Sequence, residues 1–230
     1  MAIIPKLETA SFHECSEQLD GQKKWVENID LSKDSGTWRD SIDLPADMGN
    51  SAPSVEKADL DLSRFEESKQ VERMVDYLDR LPEVKRENWL NLSFEDRVRA
   101  VQKIETQAAK VGCRPALTVK AESMSSGNLG YMDWKTQKIA INEDLLMSNK
   151  PEDFRQVIKT ILHEGRHAYQ FSNVSLERTE PNNEKYQAWT LNYVTGYCAA
   201  RLFGLKKYYL QPVEVDARVF SESIVSRLKV

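Results

Sequence analysis

Hydrophobic residues follow a helical period over most of the chain and a strand period over one short window. In residues 62–82, Phe65, Val71, Met74, Val75 and Leu78 fall near a 3.6-residue repeat, and Pro82 marks its end. Ser93 to Asp96 has the S-x-x-D form of a helix N-terminus. Val98, Val101, Ile104 and Ala108 continue that helix, and Gly112 is its expected C-cap. At Ala116 the period changes: Leu117, Val119 and Ala121 alternate with Thr118 and Lys120, as in a half-buried strand. After a Ser-Ser-Gly-Asn turn, residues 131–134 and 138–142 read as a hairpin around Lys-Thr-Gln.

Three further helices are expected. Residues 151–170 open with Pro151, Glu152 and Asp153, which suit a helix start and its dipole, and carry Phe154, Val157, Ile158, Ile161 and Leu162 as an apolar stripe. Residues 183–203 place Trp189, Tyr193, Tyr197, Ala200 and Phe203 on one side, a row that reads as core, with Gly204 ending the helix. The last helix begins at Pro212, and Val215, Val219, Phe220, Ile224 and Leu228 are expected to face inward. Residues 1–60 are less regular: a short helix at 12–28 with Trp25 as an anchor, then a Ser-, Asp-, Gly- and Pro-rich stretch at 31–55 around Trp38. The domain reading is therefore an N-terminal segment, 1–60, and an α+β domain, 61–230, in which two leading helices and a small sheet feed the helix at 151.

Composition narrows the class. The chain has 230 residues, 40% hydrophobic and 30% charged, with net charge −4, which gives no basic face for nucleic acid. No run approaches the roughly 18 apolar residues needed to span a bilayer, and the opening residues lack a signal-peptide core, so synthesis in the cytoplasm is expected. Export by a signal-independent route is compatible with the same features. Cys15, Cys113 and Cys198 are scattered and form no C-x-x-C pair, so neither a disulfide framework nor a thiolate metal site is expected. Cys198 reads as a small core residue.

The chemistry is concentrated in residues 163–167, His-Glu-Gly-Arg-His. On a helix, positions i and i+4 share a face, so His163 and His167 can point at one ion. Glu164 stands beside them as a general base acting on an activated water. The chain has three histidines, and the other, His13, lies in the N-terminal segment, so a carboxylate is the expected third ligand to Zn2+. Glu177, Glu180, Glu184, Glu214 and Glu222 are the candidates.

The motif, a linking helix, and then Pro212-Val213-Glu214-Val215-Asp216-Ala217-Arg218-Val219-Phe220-Ser221 resemble the short gluzincin-type zinc metallopeptidases. The groups concerned are the ImmA/IrrE-like peptidases and the metallopeptidase domains of bacterial polymorphic toxins and effectors. The resemblance covers residues 116–230 and implies a zincin-like domain with His163, His167 and Glu214 as metal ligands. Larger gluzincins carry an Asp four residues after the Glu ligand, where it holds a zinc-bound histidine; here that position is Arg218, and Asp216 is an alternative ligand-orienting group.

The expected function is a zinc-dependent endopeptidase with Glu164 as base, acting on a protein or peptide, with an immunity or regulatory protein as a further partner. Tyr193, Tyr208 and Tyr209 are candidate oxyanion donors, each also readable as packing, and strand 138–142 is the expected edge for an extended substrate. The rival readings are a non-catalytic binding or regulatory protein of the same fold, and a hydrolase acting on something other than a peptide.

Overall fold

The computed structural model of the chain describes residues 62–125, 127–176, 178–198 and 204–229. The expected helix at 12–28 with Trp25, the stretch around Trp38, the boundary near residue 60, His13, Cys15 and Glu177 lie outside the described residues. A 3-10 turn at Leu62–Phe65 leads into α1 (Glu67–Arg80), which buries Gln70, Val71, Met74 and Leu78. Pro82 has no backbone N–H to donate and opens a second 3-10 turn, after which the one-turn helix α2 (Arg86–Trp89) delivers Trp89 to the core. Trp89 packs on Phe154 with ring centroids 5.3 Å apart.

Helix α3 (Phe94–Gly112) starts at the expected cap, with Ser93 Oγ accepting the Asp96 N–H at 3.2 Å. Its end departs from expectation by one residue: Cys113, at φ 52°, takes the left-handed position, and Gly112 is still helical. Gly112 is small for a packing reason instead. The Tyr169 ring lies against it, and a Cβ there would come within 2.8 Å of Tyr169 Cδ2.

Strands β1 (Thr118–Glu122), β2 (Gly130–Asp133) and β3 (Lys138–Asn142) form a three-stranded mixed sheet in the order β1-β3-β2. The β2–β3 hairpin is antiparallel, with Tyr131 opposite Ala140, and β1 runs parallel to β3, with Val119 opposite Ile139. This corrects the expected substrate edge. β3 is the central strand, paired on both sides and buried from Ile139 onward, so it has no free edge. The outer edge of β1 is closed by α3, where Gln102 Oε1 accepts the Val119 N–H at 2.8 Å and Glu105 Oε1 the Leu117 N–H at 2.9 Å. Among the described residues β2 is the edge left without such partners.

Asn142 ends β3 and caps α4 (Glu143–Met147), accepting the Asp144 N–H at 2.9 Å. Helix α5 (Pro151–Ser175) begins at Pro151 as expected and extends five residues past Gln170. Its apolar stripe, Phe154, Val157, Ile158, Ile161 and Leu162, enters one continuous core with Met74, Leu78, Trp89, Ile104, Ile139 and Ile141. Gly130 of β2 meets α5 closely: a Cβ there would stand 2.7 Å from both Ala140 O and Thr160 Cγ2. The backbone oxygen has little room to yield. Gly130→Ala is therefore expected to lower stability by about 1–3 kcal/mol, read as an earlier midpoint in urea unfolding.

Helix α6 (Asn183–Thr195) buries Trp189 and Tyr193 with Tyr169 and Val213, so these two aromatics are core as expected. The helix ends at Thr195, short of the expected end at Gly204: Gly196, at φ 124°, breaks it and Tyr197 lies beyond it, while Ala200 and Phe203 lie outside the described residues. Cys198 is half-buried rather than core, and its backbone is clamped by Gln211, whose Oε1 accepts the Cys198 N–H at 2.7 Å. Helix α7 (Leu205–Leu210) precedes α8 (Pro212–Val225). Val213 and Ala217 share the inner face of α8 with Phe220 and Ile224, and Val219 is half-buried. α8 lies antiparallel along α5: Gln170 Nε2 donates to Val213 O at 2.9 Å, and Arg155 Nη2 to Val225 O at 3.2 Å. No helix among the described residues is long and apolar enough to cross a membrane.

Candidate metal centre

One turn of α5 separates His163 from His167, and their rings stand nearly perpendicular, at 85°. The two Nε2 atoms are 3.1 Å apart. α8 brings Glu214 to them, with Oε2 3.4 Å from His163 Nε2 and Oε1 3.3 Å from His167 Nε2. Donor atoms about 2.0–2.1 Å from a tetrahedral ion stand roughly 3.3–3.4 Å from one another. The contacts of 3.1, 3.3 and 3.4 Å, the last two made by different oxygens of Glu214, bring donors of all three residues close to that spacing, and one ligand atom from each lies within 4.8 Å of the others.

All three side chains are 0% exposed. Burial pushes the Glu214 carboxyl up, but the imidazoles of His167 and His163 more than offset it and hold it well below its usual range. Glu214 Oε2 is buried and makes no hydrogen bond of sound geometry, a cost that a cation would offset. Two imidazoles and a carboxylate suit zinc and leave a fourth position open. The group fits.

Of the five carboxylates considered, Glu214 is brought to the histidines. Glu184 is exposed in the first turn of α6, and Glu222 is exposed and paired with Lys159 at 2.9 Å. Glu180 is buried elsewhere, accepting from Tyr169 Oη at 3.3 Å, and Glu177 is outside the described residues. Glu164 is 0% exposed on α5 and is not one of the three clustered ligand groups. Tyr208 is buried edge-on between Tyr197 and Tyr209, and the Tyr193 hydroxyl reaches Gln170. Tyr197, which was not among those candidates, donates its hydroxyl to Glu214 Oε1 at 2.6 Å.

Behind the ligands lies a buried charge cluster that the sequence reading missed. Arg166 grips Asp216 through two bonds, Nε to Oδ2 at 2.7 Å and Nη2 to Oδ1 at 3.1 Å. Lys185 adds a third, to Asp216 Oδ1 at 3.0 Å, and both cations also meet Glu67. Burial raises the Asp216 carboxyl, but Arg166 and Lys185 hold it below the usual range. Arg218, at the position where a ligand-holding Asp was noted as absent, turns away to the Tyr209 carbonyl and ties α8 to α7.

A second missed pair supports the motif from α3. Arg114 and Glu105 form a fully buried bidentate pair at 2.7 and 2.8 Å, and Arg114 Nη2 also donates to Gly165 O at 3.0 Å. A Cβ at Gly165 would stand 3.1 Å from Glu105 Oε2 and 3.3 Å from Arg114 Nη2. One signal was available in the sequence. A glycine inside a helix costs about 1 kcal/mol against alanine, so Gly165 marks close approach of a neighbour.

Comparison with protein-family models, with curated proteins and with solved structures finds no match for the chain.

Proposed function

We propose that the chain is a zinc-dependent endopeptidase of zincin-like fold. The observation that carries this reading is the buried cluster in which Glu214 of α8 meets His163 and His167 of α5, with contacts of 3.1–3.4 Å among the three side chains and Glu164 on the same turn of α5. His163, His167 and Glu214 would hold the zinc, which would supply Lewis acidity toward the scissile carbonyl and a lowered pKa, toward about 7, for water. Glu164 takes the proton from the attacking water and returns it to the leaving amine. Tyr197 holds the Glu214 carboxylate through its 2.6 Å bond.

The extended substrate would add to β2, not β3. β2 runs beside the active stretch of α5, with Gly130 against Thr160 and Trp134, just past its end, against Phe171 at 4.6 Å between centroids. A protein substrate and an immunity or regulatory partner follow from the resemblance to toxin and effector peptidases.

Metal analysis with a proteolysis assay tests the reading. The purified protein is expected to carry about one zinc, lost in the His163→Ala/His167→Ala variant, and to cleave casein only when loaded. Unchanged zinc in that variant removes the site. Complete burial of His163, Glu164, His167 and Glu214 favours a second reading, a metal-stabilised binding protein without turnover. Zinc retained without hydrolysis selects it.

A further inference from the structure

Gln170 lies three residues beyond His167, is 0% exposed, and every polar atom of its amide is engaged. One end of the amide faces Val213 O at 2.9 Å and Asp216 Oδ2 at 2.8 Å. A carbonyl oxygen and an ionised carboxylate can only accept, so that end must be the NH2 group, with both hydrogens used. The other end, Oε1, then faces His167 Nδ1 at 2.9 Å and the Tyr193 hydroxyl at 3.5 Å. An amide oxygen also only accepts, so His167 Nδ1 must carry a hydrogen. Turning the amide over would set its oxygen against the Val213 carbonyl and the Asp216 carboxylate, acceptor against acceptor in a buried site.

We infer that Gln170 is a positioning residue: it fixes His167 as the Nδ1–H tautomer, with the Nε2 lone pair directed at the ligand cluster, and Asp216 fixes Gln170 in turn. Asp216 cannot drift, because Arg166 and Lys185 hold both of its oxygens. Arg166 is itself set between the Tyr169 and Phe220 rings, each 4.6 Å from its guanidinium carbon. The order of the site thus passes from the buried ion cluster through Asp216 and Gln170 to a ligand nitrogen. The start of α8 does two jobs: Glu214 enters the triad, and Asp216, two residues on, sets the orientation of Gln170. The variable Arg of the H-E-x-x-H motif is the group that anchors the relay. Hydrogen bonds of this outer kind raise the basicity of a ligating histidine and typically alter metal affinity about 10–100-fold.

The inference rests on the zinc reading only for that affinity, and the test separates the two. Long-range 1H–15N correlation spectra of the metal-free protein, with its imidazoles neutral, report which ring nitrogen bears hydrogen. The chain has three histidines, so His13→Gln and His163→Ala assign the remaining signal to His167. His167 is expected as the Nδ1–H form. In Gln170→Met, which keeps the length of the side chain and removes its acceptor, that preference is expected to vanish and zinc affinity, by chelator competition, to fall about 10–100-fold. An Nε2–H tautomer in the unaltered protein overturns the inference, as does a folded Gln170→Met variant with unchanged tautomer and affinity. Should Gln170→Met not fold, the spectrum of the unaltered protein decides alone. Should the unaltered protein bind no zinc, the peptidase reading fails, and the tautomer still judges the relay.

Discussion

Glu164→Gln is expected to keep its zinc and to lose peptide hydrolysis by about 10²–10⁴-fold or more. General-base work alone is worth that range, and this carboxylate is asked to return the proton as well. Glutamine preserves the shape of the side chain in a site where Glu164 is 0% exposed, so packing should survive. It offers no basic oxygen at neutral pH. The metal should stay because the ligand cluster consists of His163, His167 and Glu214, each left intact. Zinc content and turnover must therefore be measured on the same preparation. Loss of both together would make Glu164 a ligand, and unchanged turnover would remove it as the base.

Arg114→Met is expected to lower stability by about 3–5 kcal/mol, the largest effect on folding foreseen here. The pair is unusual in its isolation from solvent, with side chains 1% and 0% exposed. Removing Arg114 strands the Glu105 carboxylate in the core with the Leu117 N–H as its remaining donor. The substitution also releases Gly165 O in the middle of the His-Glu-Gly-Arg-His motif. At roughly 2–4 °C per kcal/mol for a domain of this size, thermal unfolding should move down by about 6–20 °C. Adding Glu105→Gln should restore part of the loss, since it removes the stranded charge. A loss under about 1 kcal/mol in Arg114→Met would mean that water reaches Glu105 and the pair is not buried in solution.

Local order was largely legible before the tertiary structure. Ser93 capped its helix, Pro151 and Pro212 opened theirs, and the alternation around Val119 became β1. These features depend on residues within a turn or two of one another, where backbone sterics and hydrogen bonding dominate. Gly112 shows where local reasoning slipped. A glycine near a helix end serves as a cap or as a gap for a neighbour, and the Tyr169 ring, remote in sequence, decided between them.

The face shared by His163 and His167 belongs to the sequence itself, because a helix of 3.6 residues per turn places i and i+4 together in any surroundings. Which of five carboxylates joins them does not. Glu180, Glu184, Glu214 and Glu222 all lie on or near helices, and only the antiparallel packing of α8 along α5 brings Glu214 to 3.3–3.4 Å from the two imidazoles. The same packing pairs Arg166 with Asp216, 50 residues apart, and places Gln170 between Asp216 and His167. β3 became the central strand through a parallel partner that no hairpin signal announces. Periodicity and capping are short-range and are written in consecutive residues. The carboxylate that joins the two histidines, the charges behind it and the free edge of the sheet were decided by which buried faces fit one another in three dimensions.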